Sequence, residues 1–239
     1  MLEPYSDAPG EKGVVVTSED ELAELTLRAL RNNLQVAVHA IGDRANRITL
    51  DAFRKALDEI PERLDHRLRV EHGQVVALED IPKFAPLGIV LSMQPPHCTS
   101  DMPWAEDRVG PERIKGAYAW RSFLQTGIHM TLNSDFPGET LNPFFGMYAA
   151  MTRQTPLGFP GEGWYPEQRL TRKEVLRGYT VEAAYSGFEE NIKGRILAGM
   201  LADFIVLSDD ILSIAEKEFL SLRVLETYLG GKLVYKKVS

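Results

Sequence analysis

The sequence predicts an α/β fold built from strand-plus-helix units of the (β/α)8-barrel kind. Three observations carry the prediction. Short apolar runs end on residue types that bind metals: Leu34-Gln-Val-Ala-Val-His39, Leu68-Arg-Val-Glu-His72 and Met130-Thr-Leu-Asn-Ser-Asp135. The interval from His39 to His72 is 33 residues and from His72 to Asp135 is 63, one and then two units of about 31 residues in such a barrel. Finally, Ile89-Val-Leu-Ser-Met93 is almost uninterruptedly apolar, as expected of a strand covered on both faces. Strands of a barrel point their C-terminal ends to one face, so residues distant in sequence can converge there.

The elements follow in order. Thr17-Ser-Glu-Asp-Glu21 reads as a capping box with Ser18 as N-cap, opening a helix that turns Leu22, Leu25, Ala29 and Leu30 inward. After the strand to His39 and a turn at Gly42-Asp43, a helix carries Ile48, Ala52, Phe53, Ala56 and Ile60 at helical spacing and stops at Pro61. The strand to His72 leads to a shorter helix around Glu79 to Phe84. The third strand exits into Gln94-Pro-Pro-His-Cys-Thr-Ser-Asp101-Met-Pro-Trp104, which reads as a long Pro-rich loop. A helix with Trp120, Phe123 and Leu124 ends at Gly127, and the strand to Asp135 forms the fourth unit, with helix from about Leu141. A Gly/Pro/aromatic excursion occupies 154–169. A second capping box, Thr171-Arg-Lys-Glu174, starts the last helices. Beyond Gly187 the character changes: Ala202-Asp-Phe-Ile-Val-Leu207 reads as a strand, and Arg223 to Tyr235 as a hairpin turning at Gly230-Gly231. The expected domains are therefore 1–186 and 187–239.

Composition bounds the function. With 239 residues, 44% of them hydrophobic, the chain can bury a substantial core. Its net charge of −7, from 27 Lys+Arg against 34 Asp+Glu, argues against a nucleic-acid partner. No apolar run of about 18 residues exists to cross a membrane. Cys98 is the single cysteine, which excludes an intrachain disulfide and points to a reducing, cytoplasmic setting.

Several motifs occur together: Pro4-Tyr-Ser-Asp7, Val38-His-Ala-Ile-Gly-Asp-Arg44, Val70-Glu-His-Gly73, Ser92-Met-Gln-Pro95 with His97, Asn133-Ser-Asp-Phe-Pro137, and Gly194-Arg-Ile-Leu-Ala-Gly199 followed by Ala202-Asp203. With them the chain resembles the amidohydrolase superfamily, in the branch of the N-substituted formamide deformylases, over nearly its whole length. The resemblance implies the C-terminal portion of such a protein. The expected fold is then a partial (β/α)8 TIM-type barrel, strands five to eight with their helices, plus C-terminal β-sandwich strands. It implies His39, His72 and Asp135 as metal ligands and Asp135 as the catalytic acid-base group. The ion would be divalent, zinc being expected, with one or two ions in the parent enzyme. The family's His-Xaa-His pair and its strand-four lysine or glutamate have no counterpart here, since the histidines are 39, 66, 72, 97 and 129.

The chemistry implied is hydrolysis of a non-peptide carbon-nitrogen bond in a small amide or N-formyl compound, through a metal-activated water. Arg44, Gln94 and His97 are the expected substrate contacts. Each has a plainer reading. A histidine after an apolar run is, taken alone, more often a hydrogen-bonded structural residue than a ligand. Spacing and motif context favour a site role for His39 and His72. Arg44 could be a solvated helix residue, His97 could as well pack as bind, and Asp43 fits an N-cap better than a catalyst. His66 and His129 precede their strands and read as structural. A competing reading makes the chain a non-catalytic fragment or a small-molecule binding module. Four barrel strands would leave open edges, predicting a homo-oligomer that covers them.

Overall fold

A computed structural model of the protein describes residues 1–238. The chain forms two compact units, Met1–Met93 with Ser100–Met130, and Gln94–Thr99 with Thr131 onward. In chain order, the elements up to the fourth strand are α1 (Glu19–Arg31), β1 (Ala37–Ala40), α2 (Asp43–Asp58), β2 (Arg69–His72), β3 (Val90–Met93), α3 (Pro95–Asp101), α4 (Ala105–Arg113), α5 (Trp120–Gln125) and β4 (His129–Leu132). The strands form one sheet in the order β1-β2-β3-β4. β1 pairs parallel with β2, Ala37 opposite Arg69 and Ala40 opposite His72, and β2 pairs parallel with β3, Glu71 opposite Ser92. That register sets His39 and His72 at neighbouring strand ends.

Hydrophobic burial positions these elements. In the first unit Leu30, Leu50, Phe53, Leu68, Val70, Phe84, Leu91, Met93, Trp120 and Phe123 are buried, with Phe84 and Phe123 edge to face at 5.1 Å. All four residues of β3 are buried, as its continuous apolar character predicts. Helix α1 starts as expected at Ser18, whose hydroxyl accepts from the Glu21 N–H at 3.3 Å. Its inward face is Leu22, Thr26 and Leu30, while Leu25 is exposed, which corrects the expected stripe. Among the histidines, His66 is an interior hydrogen-bonding residue: its Nδ1 accepts from the Leu68 N–H at 3.0 Å.

Two segments differ from the sequence reading. Gln94 to Trp104 is not a loop: Pro95 and Pro96 open α3, where a missing N–H costs nothing because first-turn amides have no intrahelical partner. The stretch expected as a helix around Glu79 to Phe84 is instead two 3₁₀ turns, Ile81–Lys83 and Ala85–Leu87. Pro82 and Pro86 remove the donors a longer helix would need.

The second unit contains α6 (Pro143–Thr152), α7 (Arg172–Tyr179), α8 (Val181–Ser186), β5 (Phe204–Leu207), β6 (Val224–Leu229) and β7 (Lys232–Lys236). Helix α7 has a full capping box: Thr171 and Glu174 satisfy each other's backbone N–H groups. β5, β6 and β7 form an antiparallel sheet in that order, β6 and β7 joined at Gly230-Gly231. Phe144, Met151, Leu170, Val175 and Phe219 lie in its core. The excursion after α6 is held by two arginines. Arg153 donates to the Trp164 carbonyl and lies over the indole at 5.3 Å, and Arg169 donates to the carbonyls of Glu162 and Thr152. The division into compact units falls inside β4, at a different place from the expected 186/187 boundary. We retain 1–186 and 187–239 as a proposal about domains.

Candidate functional site

β1 and β2 bring two imidazoles together. His39 Nδ1 and His72 Nε2 are 2.8 Å apart, with ring centroids 4.9 Å apart. His72 is buried and His39 exposed. His72 has φ +78° and Gly73 after it φ +51°, so the chain leaves β2 through two left-handed residues in succession. For a residue with a Cβ this costs roughly 1–2 kcal/mol, offset by the surrounding structure. Asp135 is a second such residue, with φ +55°. Among the described residues eight non-glycine residues have positive φ, so the property alone does not define a site. Two of them, however, are expected ligands.

The turn after β1 is fixed from within. The buried Asn46 amide donates to the carbonyls of Ala40 at 2.9 Å, Gly42 at 3.0 Å and Val75 at 3.2 Å, joining the exits of β1 and β2. Asp43 is the first residue of α2 rather than its N-cap, which is Gly42. Its carboxylate accepts from the N–H groups of Leu2 and Arg44, at 2.7 and 2.8 Å.

Beside β1 lies a cleft of about 800 Å³, lined among others by His39, Arg44, Gln74, Asp101, Trp104 and Tyr118. Gln74 Nε2 donates to Asp101 Oδ2 and to the Tyr118 hydroxyl, both at 2.6 Å, and the Tyr118 hydroxyl also donates to Asp101 Oδ2. Asn46, Gln74, Asp101 and Tyr118 were not singled out from the sequence. The available signal was Gln74, two residues beyond a candidate ligand.

In the second unit, His97 in α3 and Asp135 beyond β4 approach to 3.8 Å, Nε2 to Oδ2. Asn133 Oδ1 accepts from Gln94 Nε2 at 3.1 Å and from the Asp135 N–H at 3.0 Å, and the Asp135 carbonyl accepts from Gly138 N–H at 2.7 Å. The expected site residues thus form two sets, His39, His72 and Arg44 in one unit and Gln94, His97 and Asp135 in the other. Imidazole nitrogens such as those of the His39–His72 pair are donors that suit zinc among other metals. For zinc–nitrogen bonds of about 2.0–2.1 Å, a tetrahedral site separates its ligand nitrogens by roughly 3.3 Å. A small opening of the His39–His72 pair meets that spacing.

Residues 1–235 match the family model described as the amidohydrolase family. The chain is 34% identical over 237 residues to the putative amidohydrolase YtcJ of Bacillus subtilis (strain 168), covering 99% of this chain and 44% of that protein. It is 32% identical over 225 residues to the N-substituted formamide deformylase of Arthrobacter pascens, covering 92% and 40%. A solved structure, an uncharacterized metal-dependent hydrolase from Pyrococcus furiosus, superposes with a TM-score of 0.75 at 33% identity, covering 88% of this chain and 41% of that one. The chain spans less than half the length of these relatives.

Proposed function

Because the chain belongs to the amidohydrolase family, we propose that it contributes to a metal-dependent hydrolase acting on a non-peptide carbon-nitrogen bond, in an amide or N-formyl compound. The observation that carries this reading is the convergence of His39 Nδ1 and His72 Nε2 at adjacent strand ends. His39, His72 and Asp135 would hold one divalent ion, zinc by the chemistry of the donors. The inclusion of Asp135 rests on its family motif. A bound ion of this kind makes water more acidic and polarises a carbonyl.

The remaining roles belong to side chains. Asp135 takes the proton of the attacking water and delivers it to the leaving nitrogen, as general acid-base catalysis of amide cleavage requires. Asn133, bonded to Gln94 and to the Asp135 N–H, holds that carboxylate's backbone. In this reading the substrate contacts are His97, beside Asp135, and Gln94 in the second unit, and Arg44, which lines the same cleft as His39, in the first. Release of amine from an N-substituted formamide tests it. With zinc present, Asp135→Asn lowers the rate by about 10²–10⁴-fold, and a chelator abolishes turnover. Turnover indifferent to both contradicts the proposal.

A second reading is favoured by the missing His-Xaa-His pair: a binding module that keeps the pocket without the chemistry. Ligand-induced thermal stabilisation without turnover is its signature. In either reading β1, the end strand of its sheet with Ala37 and His39 exposed, supports self-association through that edge. Light scattering at the mass of a single chain contradicts it. Among the described residues no helix is long and apolar enough to cross a membrane. The lone buried Cys98 supports a reducing compartment, the cytoplasm.

A further inference from the structure

We propose that the cleft beside His39 recognises a carboxylate, and that Arg44 is the residue that selects it. The substrate class is a monoanionic amide with an apolar body. This rests on the hydrolase reading above and extends it to the substrate.

The argument begins with charge. The whole chain carries −7, yet three cationic side chains, Lys12, Arg44 and Arg108, line this cleft against one acidic one, Asp101. Most of these charges are engaged. Lys12 donates to the Leu2 carbonyl at 2.7 Å and lies 3.9 Å from Glu3, and Arg108 pairs with Asp7 at 3.0 Å. Asp101 Oδ2 takes hydrogen bonds from Gln74 and Tyr118. Arg44 differs: its guanidinium has no hydrogen bond or ion pair among the described residues. It stands five positions beyond His39, lining the same cleft. A guanidinium offers a planar fork that matches a carboxylate bidentately.

The surroundings narrow the ligand further. Val14, Val16, Ile41 and Trp104 line the cleft and remain largely exposed, an apolar surface that a ligand can cover. The cleft is within the roughly 300–1,000 Å³ of small-molecule sites. A phosphate dianion is disfavoured, because the buried Asp43 carboxylate already occupies the start of α2 and accepts the Arg44 N–H there. A single carboxylate reached by the Arg44 side chain avoids that second negative charge at the helix end.

The test is calorimetric binding of N-formyl-phenylalanine and of its uncharged analogue N-formyl-phenylalaninamide to the full chain with a chelator present. Binding of the acid about tenfold or more tighter than the amide is expected, the scale of one charge-assisted hydrogen bond. Arg44→Gln abolishes the preference, Arg44→Lys keeps part of it, and Lys115→Gln, which removes a charge outside the cleft, leaves it intact. Equal affinity for the two probes, no binding of either at millimolar concentration, or a preference that survives in Arg44→Gln overturns the proposal. Metal-dependent hydrolysis that treats acid and amide alike also overturns it while sparing the hydrolase reading. An Arg44-dependent preference without hydrolysis sustains it and counts against that reading instead.

Discussion

At the scale of single residues, His66 shows how a histidine near a candidate site can be purely structural. Burial is the main influence and lowers its pKa below the ordinary 6.5, with Asp65 and a hydrogen bond to the Leu87 backbone opposing in part. Its Nδ1 accepts from Leu68 N–H, so protonation there would set donor against donor. The unfolded chain takes up this proton at about pH 6.5 and the folded chain only at lower pH. The stabilising contribution is therefore complete above about 6.5 and lost as pH falls toward the folded value. Thermal unfolding between about pH 7 and 5.5 checks this: the midpoint falls in the wild type and falls less in His66→Gln. Identical slopes contradict it. By contrast, His39 Nδ1 and His72 Nε2 meet at 2.8 Å across two adjacent strands.

At the scale of elements, a close backbone approach ties the chain around the cleft. Val76 N–H donates to Gly116 O at 3.0 Å, and Tyr118 N–H donates to Gln74 O at 2.8 Å. A Cβ on Gly116 would lie 1.9 Å from the Val76 carbonyl oxygen, so the backbone itself would have to move. Gly116→Ala is expected to destabilise the fold by about 1–3 kcal/mol, read as a lower midpoint in denaturant. An unchanged midpoint argues against this approach being fixed. Much at this scale was legible in the sequence. Strands ending at His72 and Met93, the amphipathic α2, the Thr171 capping box and the Gly230-Gly231 hairpin follow from local pattern, because each is set by its own residues. What was not legible depended on context. Prolines at 95 and 96 read as loop until a helix is seen to start there, while those at 82 and 86 break the stretch around Glu79 to Phe84 that reads as a short helix. Helix α4 escaped because its sequence, Ala105-Glu-Asp-Arg-Val-Gly-Pro-Glu-Arg113, is mostly polar and bends at Gly110-Pro111, where Gly110 has φ +78°. For the candidate site, strand ends and spacing singled out His39, His72 and Asp135. Asn46, Gln74, Asp101 and Tyr118 gain their significance only from partners distant in sequence.

At the scale of the whole molecule, membership of the amidohydrolase family and a length under half that of its relatives frame one question: whether the histidines present here organise an ion. Two imidazoles whose nitrogens already converge need little rearrangement to bind one, although the His-Xaa-His pair of the family is absent from the sequence. The central claim is therefore a metal claim. Titration of zinc into the chelator-stripped 239-residue chain, beside His39→Ala and His72→Ala, tests it most directly. About one ion per chain is the predicted stoichiometry, with either substitution weakening affinity by about tenfold or more. Absence of saturable binding, or wild-type binding in both variants, would contradict the assignment of these two histidines as metal ligands.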